Sequence, residues 1–479
     1  MGSSLRLGWV GRSVLVGALI FCSESGSAIA APREREAKAR APMNVDISQA
    51  EGNQAETAVA VNQANPMQVT VVSNLDRGAG MSHGWSTDGG LTWNRNVIAD
   101  GDNLGFACCD GQLTSDEFGN IFLTYLTSAI DVKVAVSTDG GATFRLLDFA
   151  GAGTRGLPQM PWKSLAAVGV EVSGDQPSIA AAAGSVWISW TGFSGAIQAA
   201  GAPVTGLGQV GPFTAVQTVS GGNGNGDYGD TAIGPDGQVL VVYQNPTGGQ
   251  GPATIYAALD PDGLGPQGFG PAHAIQKTNV GGFDYIPAQS GRSVDAEAGL
   301  AWDLTGGPHH GRVYFVHVSE EPQESNDTDI QVRYSDDDGA HWSDSVRVND
   351  DSTTRSQFNP RIALDPTTGL VAVAWYDARH DAGNHGPGDT NGVPNDDIAI
   401  YASLTRDGGD TFLPNRRLSK GVSNDDQAGN GVDYGDYEGL AFYGGRLYFG
   451  WADNSNSTGD NPDGTLNTLD VYSAPVNVH

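Results

Sequence analysis

The stretch Ser86-Thr87-Asp88-Gly89-Gly90-Leu91-Thr92-Trp93 returns as Ser137-Thr138-Asp139-Gly140-Gly141-Ala142-Thr143-Phe144, as Ser335-Asp336-Asp337-Asp338-Gly339-Ala340-His341-Trp342, and as Thr405-Arg406-Asp407-Gly408-Gly409-Asp410-Thr411-Phe412. Each copy follows an alternating apolar run of the kind that makes a half-buried strand. The Ser or Thr and the Asp can hydrogen-bond the backbone of their own turn, the glycines allow positive φ, and the closing aromatic is placed to pack between neighbouring sheets. One copy could be chance, whereas four make a repeat.

The gap between the second and third copies has room for two more units, whose turns survive as Leu207–Phe213 and Asp260–Gly265. Each unit also carries a strand pair around a short turn. Examples are Asp116–Gly119 into Ile121–Tyr125, Ala183-Gly184 into Val186–Trp190, Asp236-Gly237 into Val239–Tyr243, and Pro360–Gly369 into Val371–Trp375. Asp303 into Val313–Val316, Gly445 into Leu447–Trp451, and Thr57–Val72 bring the total to seven. The prediction is an all-β chain, a seven-bladed β-propeller of four-stranded blades over residues 43–479. The last unit runs out after Leu469–Ser473, so Asn44-Val45-Asp46-Ile47-Ser48 is expected to supply its outer strand and close the ring without an open edge.

The repeat resembles the Asp-box (BNR) repeat, S-x-D-x-G-x-T-W, of sialidases and related propellers, and this resemblance spans residues 43–479 as a fold. It implies that the boxes are scaffold, on the face opposite the site. Asp433-Tyr434-Gly435-Asp436-Tyr437-Glu438-Gly439-Leu440 looks like the sialidase final blade, where a Tyr activated by a Glu is the nucleophile. Tyr437 matches that position and Tyr434 is the second choice. The counterpart of the activating acid is Asp230, next to Tyr228; a Tyr needs such a base because its ordinary pKa is about 10. The family's first substrate arginine lies in an F-R-I-P motif before the first blade, where this chain has none. The nearest text, Phe358-Asn359-Pro360-Arg361-Ile362-Ala363, lies in the sixth unit, and Gln244-Asn245 stand where the fourth would carry an arginine.

Counting six residues back from the turn positions Asp116, Asp236, Asp303 and Asp365 gives Asp110, Asp230, Glu297 and Asn359. The same offset gives Glu56, Gln176 and, with one residue of slack, Glu438. These seven are expected to ring one mouth of the axial channel. Each alone could cap a local turn. Five carboxylates converging on an axis need protons, cations or sugar hydroxyls to compensate them, and Ca²⁺ would suit oxygen ligands, although no cofactor is required. A second set lies where second strands end: Asp377 and Arg379, followed by His380, Asp381, His385, Asp389, Asp396 and Asp397, with Asp76-Arg77 and Asp453-Asn454 in matching places. Arg379, held by Asp377, could bind a substrate carboxylate or hydroxyl pair, or form an inter-blade salt bridge.

Lys and Arg total 25 against 55 Asp and Glu, a formal net charge of -30. That excludes a general nucleic-acid or anionic-membrane binder. Arg6 and Arg12 around the start of an apolar run, then Ala28-Ile29-Ala30, predict a signal peptide over 1–30, a disordered leader over 31–42 and a secreted or periplasmic protein, with no later segment apolar enough for membrane insertion. The mature chain keeps Cys108 and Cys109, next to Asp110; in an oxidising compartment they are expected to pair with each other or to lie buried as thiols. Two classes of function follow. One is a monomeric exo-acting glycoside hydrolase on extracellular carbohydrate, with a polysaccharide lyase as a variant; the other is a non-catalytic propeller that binds a glycan or protein.

Overall fold

Short alternating apolar runs joined by tight turns can only pair with their sequence neighbours, antiparallel. The computed structural model, which describes residues 44–76, 80–149, 173–219 and 226–478, shows seven such meanders arranged as a seven-bladed β-propeller. From the axis outward, blade one is Gln54–Val61, Val69–Leu75, Met81–Ser86 and Asn94–Ile98, and blade two is Gly105–Ser115, Ile121–Thr127, Val132–Ser137 and Arg145–Leu146. Blade three is Gly174–Ala182, Ser185–Gly192 and Ile197–Gly206, edged by Gln209–Val210 and Gln217–Thr218. Blade four is Asp227–Ile233, Val239–Pro246, Ala253–Asp260 and His273–Thr278, and blade five is Gly299–Trp302, Val313–Glu320, Thr328–Ser335 and Val346–Arg347. Blade six is Gln357–Leu364, Val371–Asp377, Ala399–Thr405 and Arg416–Arg417.

Blade seven takes Gly439–Tyr443, Arg446–Asp453 and Asp470–Ser473 from the end of the chain and its outer strand, Val45–Asp46, from the beginning. Val45 pairs with Ser473 and Asp46 with Tyr472, as the missing outer strand required. The described residues contain no α-helix, and no helix long and apolar enough to cross a membrane; a 3-10 turn occupies Asp425–Gln427. The expected signal peptide and leader, and Arg77, lie outside the described residues. Not anticipated were a hairpin, Asp284–Ile286 with Gln289–Val294, inserted between blades four and five, and two short added strands, Asp100–Asp102 on blade two and Val476–Asn477 on blade seven.

The four repeated turns share one hydrogen-bond set. Ser86 Oγ donates to Asp88 Oδ1 (2.8 Å) and accepts from Gly90 N (2.9 Å), while Asp88 Oδ1 accepts from Thr92 N (2.9 Å). The same bonds recur at Ser137/Asp139, Ser335/Asp337 and Thr405/Asp407. Glycine is needed for more than its positive φ: a Cβ on Gly141 would come within 2.5 Å of Thr70 Cβ, and one on Gly409 within 3.3 Å of Tyr314, each in the second strand of the preceding blade. These turns therefore set inter-blade distance. They lie on one face, here the turn face; the connections between second and third strands and between blades lie on the other, the loop face.

The closing strand carries a buried acid pair. Asp46 Oδ1 accepts from Gln49 N (3.0 Å) and Asp470 Oδ1 from Ser48 Oγ (3.0 Å), which leaves their second oxygens, both buried, to each other. Burial, then the Asp470 charge, pushes the Asp46 carboxyl up to about 9, while burial raises Asp470 to about 6 against a hydrogen bond with Asp46 that lowers it, so the pair holds a proton. A raised acid pKa contributes stability that is fully present below about pH 4, where the unfolded carboxyl is also protonated, and is lost as pH rises through the folded value. The melting temperature of the natural chain is thus expected to fall between pH 5 and pH 9 more steeply than that of Asp46→Asn, whose amide N–H donates without any proton uptake; parallel curves would rule out the shared proton. Deleting residues 44–48, which also removes the buried Ile47, should lower the melting temperature at every pH by an amount set by roughly 1.5–3 kcal/mol for that side chain plus the lost strand pairing, and an unchanged value would contradict the closure.

Candidate functional site

The inner strands start at the loop face and carry a β-bulge near their first turn. Register shifts fall between Ala55 and Ala58, Cys109 and Gln112, Asp175 and Ser178, Asp227 and Gly229, and Phe358 and Arg361. The residue at the bulge takes positive φ at Glu56 (56°), Asp110 (59°), Gln176 (46°) and Asn359 (47°), and Glu297 (49°) does so at the matching place in blade five. Non-glycine residues avoid this region, so a bulge is the physical reason the column exists.

Two of the seven expected members are displaced. In blade four the bulge falls at Tyr228, and Asp230 sits one pleat deeper, with Oδ1 accepting from Ser178 Oγ (2.6 Å) and Oδ2 from Leu300 N (2.8 Å). The count slipped because Gly234, not Asp236, occupies the turn position held by Asp116: Gly237 N bonds Gly234 O as Gly119 N bonds Asp116 O. In blade seven the column position belongs to Tyr437, whose ring lies 5.5 Å from the Arg361 guanidinium. Glu438 points the other way, pinned between blades by Thr57 Oγ1 (2.5 Å) and Tyr376 OH, and burial pushes its carboxyl up to about 8. Tyr228 lies in the inner strand Asp227–Ile233, and its side chain is outside the described residues.

The ring is covered on the loop face. Asp433 accepts from Gly291 N (2.7 Å) and Arg292 N (2.8 Å), and Gln289 Nε2 donates to Gly435 O (2.8 Å), which laces the inserted hairpin to the segment before blade seven. Arg292 then meets Asp436 in a two-pronged salt bridge through Nε (2.7 Å) and Nη2. Gly435 lies so close to Glu56 that a Cβ there would come within 2.2 Å of Glu56 Cγ, and Asn359 Nδ2 donates to Gly435 O (2.9 Å).

Beneath this cover, acids outnumber partners. Burial, then the Asp436 charge, pushes the Glu56 carboxyl up to about 7. Asp110, which accepts from Gln176 N (3.0 Å), is raised by burial, Glu56 and Asp175. Asp295 is raised by burial and by Asp436 and Asp227. Glu297, 3 % exposed, is raised by burial and Asp295, and neither of its carboxylate oxygens has a hydrogen-bond partner of normal geometry. The Arg292 guanidinium opposes part of this and is itself held above its usual range by Asp436. Arg292, Asp175, Asp295 and Asp436 were not among the candidates read from the sequence, because contacts between segments some 140 residues apart leave no local signal.

The remaining candidates are elsewhere. Arg379 is fully engaged: it bonds Asp377 (Nη2, 2.7 Å), Asp350 (Nη1, 2.8 Å) and Asn415 (Nη2, 2.8 Å) and stacks 4.2 Å over Tyr401, which is the inter-blade salt bridge of the two alternatives. Asp377 is buried and also accepts from Trp375 Nε1 (2.8 Å). Tyr434 is a core residue against Tyr376, its hydroxyl on Ser423 Oγ (3.2 Å). Cys108 and Cys109 are joined by a disulfide, half-buried beside Asp110.

The axial channel opens on the other face. A cavity of about 640 Å³ is lined by Ala58, Ala180, Ala232, Ala363 and Ala441, with Asp230 and Arg361 deeper in, and reaches the turns at Glu117 and Tyr443. Near the ring only about 10 Å³ remains, between Gln176, Ser178, Arg361 and Tyr437. The mouth expected at the ring is thus nearly closed among the described residues; small side chains widen the turn-face end and the ring plugs the other.

No family model and no curated protein matches the chain. Among solved structures it is similar to a protein of unknown function from Dyadobacter fermentans, at 12% identity and TM-score 0.46, over 92% of this chain and 99% of that one. It is also similar to an α-L-arabinanase of Penicillium chrysogenum complexed with arabinobiose (11%, TM-score 0.44, 91% and 99%) and to a GH93 α-L-arabinofuranosidase of Fusarium graminearum (12%, TM-score 0.44, 76% and 97%). At such identities and scores these likenesses carry no information about activity.

Because Arg292 offsets carboxyls that otherwise need protons, Arg292→Met is expected to lower the melting temperature more at pH 8 than at pH 5. An equal loss at both values would mean that the salt bridge does not serve the buried acids.

Proposed function

We propose that this chain is a secreted propeller that acts on extracellular glycans as a glycoside hydrolase, with its chemistry at the loop-face ring. The observation that carries the reading is the pairing of unlike acids: Glu56, whose carboxyl at about 7 keeps a proton near neutral pH, interacts with Asp436, held by the two-pronged Arg292 bridge. A proton-bearing acid beside a salt-bridged carboxylate is what cleavage of a glycosidic bond asks for, one to protonate the leaving oxygen and one to attack or to activate water. Access requires the 430–436 segment to lift from Glu56, since Gly435 covers it.

Support for export is the Ala28-Ile29-Ala30 site and a disulfide between adjacent cysteines, which suits an oxidising compartment. The sialidase-like resemblance of the four turns concerns scaffold. Arg379 is committed between blades, Tyr437 is almost wholly buried, and a carboxyl ring on a chain of net charge -30 repels an anionic sugar, so the substrate proposed is a neutral glycan. A second reading, glycan binding without cleavage, is favoured by Phe193, Phe283 and Tyr285, exposed on loop-face connections, and by Phe106, exposed at the start of the blade-two inner strand, where aromatic faces could take sugar rings.

An activity screen of the exported protein against neutral and acidic glycosides is expected to show turnover of a neutral substrate. Glu56→Gln and Asp436→Asn should each lower it by at least about 10²-fold with the fold intact, and Asp139→Asn in a repeated turn should cost stability alone. Retention of glycan binding with no turnover by any variant would select the second reading, and full activity in both carboxamide variants would remove the ring from catalysis.

A further inference from the structure

The long connection between the second and third strands of blade six folds three carboxylates together. Asp381, Asp396 and Asp397 are 1 %, 2 % and 2 % exposed, and one oxygen from each lies within 4.8 Å of the others. Asp381 Oδ2 accepts from both Asp396 N (2.8 Å) and Asp397 N (3.0 Å), which closes the loop on itself. Asp397 Oδ1 accepts from Thr390 Oγ1 (2.6 Å) and Asn424 Nδ2 (3.1 Å), and Asp396 Oδ2 from Asn391 Nδ2 (2.8 Å). Every one of these donors is neutral.

Two facts separate this cluster from an ordinary acidic turn. Asp396 Oδ1 is buried and has no hydrogen-bond partner. Among the described residues no Arg or Lys forms a salt bridge with Asp381, Asp396 or Asp397; Arg379 is spent on Asp377 and Asp350. Three like charges out of water with one oxygen unbonded are unstable unless a cation or a proton joins them. Burial and the neighbouring carboxylates raise Asp396 and Asp397 accordingly.

We propose that Asp381, Asp396 and Asp397 bind one Ca²⁺ ion. The donor set is all oxygen, as a hard cation wants, and three carboxylates against a divalent ion leave about one negative charge, a balance found in protein calcium sites. Asn, Thr and backbone oxygens are abundant along the loop, and a flexible surround of six to eight oxygens suits Ca²⁺ better than the strict octahedron of Mg²⁺. The ion would act as a brace. Asn424, bonded to Asp397, receives Asn454 Nδ2 on its carbonyl, and Ser423 next to it bonds both Asn454 Oδ1 (2.8 Å) and the Tyr434 hydroxyl, so the blade-six loop is tied to the segment that covers the ring.

The test uses the whole exported chain, stripped with a chelator and titrated with CaCl₂ or MgCl₂ while thermal unfolding and bound metal are measured. Expected are one Ca²⁺ per chain, a dissociation constant on the order of 10⁻³ M or tighter, a rise of several degrees in melting temperature, and a weaker response to Mg²⁺. Asp396→Asn should abolish the response, yet in chelator it should melt no lower than the natural chain, because it removes a repelling charge. Glu56→Gln should keep the full response, which separates this site from the ring. The proposal is overturned if the natural chain binds no Ca²⁺ at millimolar concentration, if Asp396→Asn responds like the natural chain, if Mg²⁺ stabilises as much as Ca²⁺, or if Glu56→Gln alone loses the response. Should Asp396→Asn not fold, the stoichiometry and ion preference of the natural chain still decide between these outcomes.

Discussion

A four-stranded sheet of this size cannot bury both of its faces by itself, so each blade is stable only against its neighbours, and the circle must close. The pairing of Val45 with Ser473 and of Asp46 with Tyr472 closes it. The core between blades one and seven makes the point in side chains: Ile47 from the closing strand packs with Val59, Val61, Val69 and Val71 of blade one and with Tyr448 and Val471 of blade seven. Loss of that strand would expose an apolar face and an unpaired sheet edge at once. Chain ends more than 400 residues apart thus control one cooperative unit.

Closure also explains where the strain is stored. Seven inner strands converging on an axis leave little room, and a bulge lets each bend away while turning one side chain inward. Five of the seven positions carry a non-glycine residue at positive φ, a conformation that costs on the order of 1 kcal/mol or more per site. Glycine would adopt it freely. Glu56, Asp110, Gln176, Glu297 and Asn359 are instead all polar and all able to bond or bind through their side chains, which points to a use for those groups beyond bending the chain.

What the sequence made legible was whatever is written in consecutive residues. The repeated turns are eight residues long and contain every group they need, so their bonds at Ser86/Asp88 could be anticipated from text alone. The missing outer strand of blade seven was legible as an absence. The ring was partly legible: the six-residue offset held in blades one, two, three, five and six, and failed at Asp230, because Gly234 and not Asp236 holds the turn position, and at Glu438, where one residue of slack passes over Tyr437. The cover over the ring was not legible at all. Arg292 sits in an inserted hairpin with no periodicity of its own, and its meaning comes only from Asp433 and Asp436 in a distant segment.

One physical problem, carboxylates removed from water in a chain with 55 acidic and 25 basic side chains, is met in three ways. At the closing seam Asp46 and Asp470 share a proton. At the ring a guanidinium takes part of the charge, through the Arg292 bridge to Asp436, and protons the rest. In the blade-six loop no salt bridge among the described residues reaches Asp396 or Asp397, and the proposed compensation comes from solution. The three solutions answer to different variables: the seam to pH, the ring to pH and to the integrity of one salt bridge, the loop to a divalent ion. Because Asn424, Ser423 and Tyr434 connect the loop to the cover of the ring, ion occupancy would set how readily that cover lifts, while pH sets the protonation of what lies beneath it.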